Sequence, residues 1–99
     1  MRRNNIEMQF EWDKQKNEEN KKKHHICFEN AIRVFWDYYR IEILDERMDY
    51  GEERYVVIGM VENIISVVYT ERGEVTRIIS ARKATEKERK MYYDCKRNN

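Results

Sequence analysis

Proline is absent from these 99 residues and glycine occurs only three times. No linker and no internal repeat divides the chain, so one domain spanning residues 1–99 is expected. The two cysteines, Cys27 and Cys95, are too few for a disulfide framework and read as the reduced thiols of a cytosolic protein. Every apolar run is far shorter than the roughly 20 residues that cross a bilayer. The N-terminus lacks the apolar stretch of a signal peptide. Together these absences predict a soluble, cytoplasmic protein. No glycine-rich phosphate loop, serine or cysteine nucleophile motif, or zinc pattern is present. His24 and His25 stand near Cys27, but adjacent side chains diverge and no fourth ligand has suitable spacing. No metal and no cofactor is therefore expected.

Neither sign of charge dominates, with 20 Lys/Arg against 19 Asp/Glu. The distribution is uneven. From Arg72 to Arg97 there are nine basic residues against four acidic ones, whereas Asp37–Glu62 holds three against eight. A near-neutral chain can thus present a basic face, built by its C-terminal part, to a polyanion. So short a chain also has a limited core and can depend on a partner for part of its burial.

Ile6, Met8, Phe10 and Trp12 alternate with polar residues, which predicts a strand with one buried face. Asp13–His25 is rich in helix formers but has almost no apolar stripe. Phe28, Ala31, Ile32, Phe35, Trp36 and Tyr39 recur at helical spacing, which predicts an amphipathic helix whose stripe is core. Ile41–Leu44 reads as a short strand before an acidic loop, Asp45–Glu53. Three strands follow, Tyr55–Val61, Ile64–Tyr69 and Val75–Ala81, and their short connections demand an antiparallel meander. The doublets Ile64–Ile65 and Val67–Val68 predict burial on both faces. Thr85 with Glu88 three residues on is a capping-box pattern, opening a last helix from Glu86 to about Lys96. The expected class is α+β: an antiparallel sheet with two N-terminal helices and a C-terminal helix.

Several blocks resemble one family in identity and order. Phe10–Glu11–Trp12–Asp13, Lys16 and Asn20 are similar to the opening of the BrnT toxins. Lys23–His24, Phe28–Glu29 and Ala31 resemble their next signature. Asp49, Gly51–Glu52–Glu53–Arg54 and Ile58–Gly59 resemble the middle. Val67–Gly73, Arg77–Thr85, Glu88–Arg89 and Tyr92–Tyr93 resemble the C-terminal half. The resemblance covers about Phe10 to Tyr93 and implies a RelE-like fold and a ribonuclease that stops translation. It also implies neutralisation by a BrnA-type antitoxin, which carries the binding to operator DNA. One position departs from the family: His25 stands where a glycine usually follows the Lys-His pair, and glycine there would permit a left-handed helix end. Met1–Asn5 falls outside the resemblance and reads as a disordered extension.

Metal-free RNA cleavage uses the substrate 2′-hydroxyl as nucleophile. It needs a base, cations that hold the phosphate, and an acid for the leaving 5′-oxygen. Arginine suits the second task through its planar, permanently charged fork. By resemblance Arg72, beside Gly73 in a turn, is the first choice for clamping phosphate. Arg77 and Arg82 flank an apolar strand, and strict alternation would point them to opposite faces. Arg82, where strand yields to helix, is the better catalytic candidate, with Arg77 and Lys83 as RNA contacts. Glu86 and Arg89 share a helix face and could supply a base and a cation. Histidine is the side chain suited to proton transfer near neutral pH, and His24 resembles the family's histidine, so it is a candidate acid or base. Tyr69, Tyr92 and Tyr93 are candidates for stacking on bases. The reading requires Arg72, Arg82 and Arg89 to meet in one anion-receptive pocket. The alternative is an inactive binding module that acts as a corepressor with its antitoxin, and either reading expects a hetero-oligomer with that antitoxin.

Overall fold

The computed structural model describes residues 8–47 and 49–98. The expected disordered extension, and the first residues of the first strand, lie outside them. Strand β1 (Gln9–Trp12) leads into helix α1 (Lys14–His24), then a single turn of helix α2 (Phe28–Ala31) that tightens into a 3-10 segment, Ile32–Trp36. Strands β2 (Ile41–Asp45), β3 (Arg54–Val61), β4 (Asn63–Arg72) and β5 (Val75–Lys83) follow, and helix α3 (Glu86–Arg97) ends the described chain.

The five strands form one sheet in the order β1-β5-β4-β3-β2. The meander β2–β5 is antiparallel as the short turns require. The expectation of a wholly antiparallel sheet is corrected at one edge: β1 runs parallel to β5, Gln9 opposite Val75 through Trp12 opposite Ile78. A parallel neighbour needs a long crossover, and here more than half of the chain separates the two strands.

Helices cover both faces. On one, Phe28, Ala31, Val34 and Phe35 meet Val57, Val61, Ile65, Val67, Tyr69, Ile78 and Ala81. Phe35 lies between Phe10 and Tyr69, with ring centroids 5.4 and 5.0 Å away. On the other, Tyr92 of α3 closes over Val56, Ile58 and Ile64. The Ile64–Ile65 doublet does bury on both sides, whereas of the second doublet Val67 is buried and Val68 half-buried. The predicted continuous helix over Phe28–Tyr39 is instead the short α2 and its 3-10 extension. Gly59 marks how closely that extension lies on β3, since a Cβ there would stand 2.7 Å from Val34 Cγ2.

Helix α1 docks without an apolar stripe. Asn20 Nδ2 donates to the Ile26 and Ala81 carbonyls at 2.8 and 2.9 Å, while its Oδ1 accepts from the Ala81 N–H at 3.1 Å. Asn17 donates to Glu29 and accepts from the Phe28 N–H. Both asparagines are buried, and their amide groups pin the helix to β5 and to the start of α2 through satisfied hydrogen bonds.

Candidate nucleic-acid interface

Strand β5 carries one residue too many for its partner. Val68 faces Ser80 and Tyr69 faces Ile78, so Ile79 is the extra residue of a β-bulge. The bulge resets the alternation of side chains along β5. Arg77 pairs with Thr70 and Arg82 with Ser66, and both partners lie on the α3 side of β4, as Arg72 does two residues beyond Thr70. The expectation that Arg77 and Arg82 point to opposite faces is therefore corrected, because the inserted residue restores them to one side.

The three arginines form a row rather than a cluster. Ser66 and Arg72 are six residues apart on β4, which spans roughly 20 Å of extended chain. Each guanidinium has a carboxylate partner. Arg72 reaches Glu52 at 3.5 Å and Arg77 reaches Glu11 at 2.9 Å. Arg82 holds both oxygens of Glu88, at 2.8 and 3.0 Å. A pocket shared by Arg72, Arg82 and Arg89 is thus not formed: Arg72 ends one extremity of the β4–β5 ribbon and Arg82 the other.

The Arg82 end is the richer one. Thr85 caps α3, accepting from the Glu88 N–H at 3.2 Å, while Glu88 Oε1 accepts from the Thr85 N–H at 2.9 Å. The same carboxylate accepts from Ser66 Oγ at 3.4 Å. Burial opposes its charge, but the Arg82 fork and the Thr85 N–H outweigh burial and hold Glu88 below the usual carboxylate range. Sequence reading assigned Glu88 to the cap alone and missed this second role. The signal was available: a charged cap residue six positions after an arginine near the end of a strand. Glu86, Arg89 and Tyr93 sit about 100–160° around the helix from Glu88, on an exposed flank.

On the opposite face of the same strand end, His24 and Lys83 line one cavity of about 450 Å³ together with His25, Glu29, Glu62 and Asn63. Lys83 faces this side because it pairs with Ile65 of the helix-face core. His25 has φ 62°, the left-handed conformation anticipated for a glycine, and its N–H closes α1 on the Lys21 carbonyl at 2.9 Å. Two tyrosine candidates are corrected by burial. Tyr69 is 5% exposed, its hydroxyl donating to Glu42, and Tyr92 is 1% exposed, its hydroxyl donating to Asp37. Neither ring is open to a base, whereas Tyr93 is 42% exposed.

A five-stranded mixed sheet, helices on both faces and a line of arginines along one of them define a small α+β protein. Among solved structures the chain is similar to the Brucella abortus ribonuclease toxin BrnT, with TM-score 0.61 and 24% identity, over 80% of this chain and 99% of that one. That likeness shows the fold. Among curated proteins there is no match. Residues 12–88 match the family model described as the ribonuclease toxin BrnT of type II toxin–antitoxin systems. The chain belongs to the BrnT family, and as a type II toxin it has an antitoxin partner.

Proposed function

We propose that this toxin is a metal-independent endoribonuclease that cuts RNA through the substrate's own 2′-hydroxyl, stops translation, and is neutralised by a BrnA-type antitoxin that alone contacts operator DNA. The observation that carries the reading is the family match over residues 12–88. The RelE-like class of the fold belongs to the same proposal. The single arginine pocket that the sequence called for is not formed, and the row of arginines supports a division of labour in its place. Arg72 and Arg77 hold successive phosphates along the ribbon. The chemistry falls at the β5–α3 junction, where Arg82 pairs with Glu88 and α3 also carries Glu86 and Arg89, while His24 and Lys83 line the cavity on the other face of the same strand end.

Attack of the 2′-oxygen on phosphorus forms a cyclic phosphate as the bond to the 5′-oxygen breaks. A base removes the 2′-proton, and an acid returns one to the leaving oxygen. Arg82 stabilises the charge that builds on phosphorus, exchanging part of its fork from Glu88 to the phosphate. Glu88 or Glu86 supplies the base, and His24, on the other face of the sheet, serves as the acid only for a strand that wraps around the end of β5.

The test is incubation of purified protein with RNA in EDTA. Products ending in cyclic or 3′-phosphate are expected. Arg82→Ala should lower kcat by about 100-fold or more, as loss of a charge-stabilising donor does. Arg72→Ala should chiefly raise KM. Cleavage that EDTA abolishes overturns the mechanism.

A further inference from the structure

The 3-10 segment buries Val34 and Phe35 but leaves Trp36 48% exposed, although its spacing marks it as part of the core stripe. Trp36 keeps one contact inward, to Phe10 at 6.1 Å between centroids. Its outer side borders a cavity of about 490 Å³ shared with Arg33, Asp37, Tyr39, Tyr92 and Lys96. That size is within the ordinary range for small-molecule sites.

The floor of this cavity is fixed. Asp37 Oδ2 accepts from the Tyr92 hydroxyl at 2.5 Å and the Met60 N–H at 2.7 Å, and its Oδ1 accepts from the Tyr39 N–H at 2.9 Å. Three donors thus engage the one carboxylate that lines the cavity and offset its charge toward an incoming anion. The rim is cationic. Lys96 Nζ lies 5.1 Å from the Tyr39 ring centroid, and Arg33 is exposed. Aromatic faces beside cations are what an unpaired base and its phosphate require: every base has a flat π-face to stack, and the phosphate next to it needs a positive partner.

The position also fits. Tyr92 lines the cavity, and Glu88, which holds Arg82, lies four residues earlier on α3, about 6 Å along the helix. An RNA strand at the β5–α3 junction would reach this cavity within a nucleotide or two. We infer that the cavity is a base-selecting subsite, in which a nucleobase stacks on Trp36 while Arg33 and Lys96 hold the adjoining phosphate. This rests on the ribonuclease reading and adds to it where the enzyme reads its substrate.

The experiment follows the fluorescence of Trp36. Trp12→Phe leaves Trp36 as the one remaining tryptophan, and uncleavable 2′-O-methyl hexanucleotides of each base are titrated in. If that variant fails to fold, fluorine NMR of fluorotryptophan-labelled wild-type protein separates the two rings. Saturable quenching, stronger for one base than the others, is expected. The double variant Arg33→Ala/Lys96→Ala should weaken it about tenfold, and Trp36→Ala should flatten the base preference at the cut with a larger effect on KM than on kcat. No response to any of the four oligomers at millimolar concentration, in protein that still cleaves RNA, overturns the subsite and leaves the ribonuclease reading standing. Quenching without cleavage of any RNA keeps the base site and removes the nuclease. A Trp36 signal that moves only when the antitoxin is added makes this a protein interface and overturns the inference.

Discussion

The two faces of the sheet are built for different ends. Among the described residues the apolar core of the α1–α2 face has eleven buried members, Phe35, Phe28 and Tyr69 among them, while that of the α3 face has four. Strands β3 and β4 supply apolar side chains to both, so the difference comes from what covers them. Helix α3 contributes one fully buried side chain, Tyr92, and crosses only one end of its face. The uncovered part of that face is where Arg72 and Arg77 lie. A sealed apolar face carries the stability, and a partly open one tolerates paired charges near water. Guanidinium and carboxylate groups there escape the desolvation cost that burial would impose.

If this division is right, the largest stability losses come from the α1–α2 face. Phe35→Ala should cost about 3–5 kcal/mol, the usual range for emptying a buried aromatic site. Tyr92→Phe should cost about 2 kcal/mol, because it loses one hydrogen bond to a charged group and little volume. Urea denaturation of both variants measures the difference. Equal losses, or a larger one for Tyr92→Phe, would break the comparison.

Much of this division was legible in the sequence, and the exceptions have physical causes. The capping box at Thr85 and Glu88, the three meander strands and the double burial of Ile64–Ile65 each rest on local pattern, and each is present. The docking of α1 was not legible, because Asn17 and Asn20 hold it through amide hydrogen bonds that leave no hydrophobic period. The parallel pairing of β1 was hidden by its distance from β5 along the chain. The bulge at Ile79 is a matter of register between two strands, and no glycine marks it. That one residue decides which arginines share a face, so the arrangement of the candidate site could not be read from local pattern. Trp36 fits the core stripe in spacing, and only the 3-10 tightening turns it outward.

The α3 face should also be the acid-sensitive one at its Arg82 end. Glu88 has its carboxyl held below the ordinary value of 4.5. Its contribution to stability is therefore fully present above that value and is lost as pH falls through the lowered one. Because the pair is partly exposed, the loss is small, below about 1 kcal/mol. It should appear as earlier hydrogen exchange in the first turn of α3 on acidification below pH 4.5, and Glu88→Gln should show that exchange already at neutral pH. Exchange in α3 that ignores both acid and the substitution would mean that Tyr92 alone anchors the helix.

The smallest effect sharpens the comparison from the other side. His25 holds φ at 62° with nothing but a backbone hydrogen bond to show for it, at the mouth of the cavity that also contains His24 and Lys83. A left-handed backbone costs an L-residue about 1–2 kcal/mol. Glycine removes that penalty but loses about 0.5–1 kcal/mol more conformational entropy on folding. His25→Gly should therefore stabilise the protein by about 0.5 kcal/mol, readable as a rise in urea midpoint with an unchanged slope. If His25 is only a helix terminus, RNA cleavage keeps its rate. Should the stability rise while kcat falls several-fold, the imidazole belongs to the chemistry. The strained conformation would then be functional, and His25 would join His24 as a second histidine of the α1–α2 face in the catalysis.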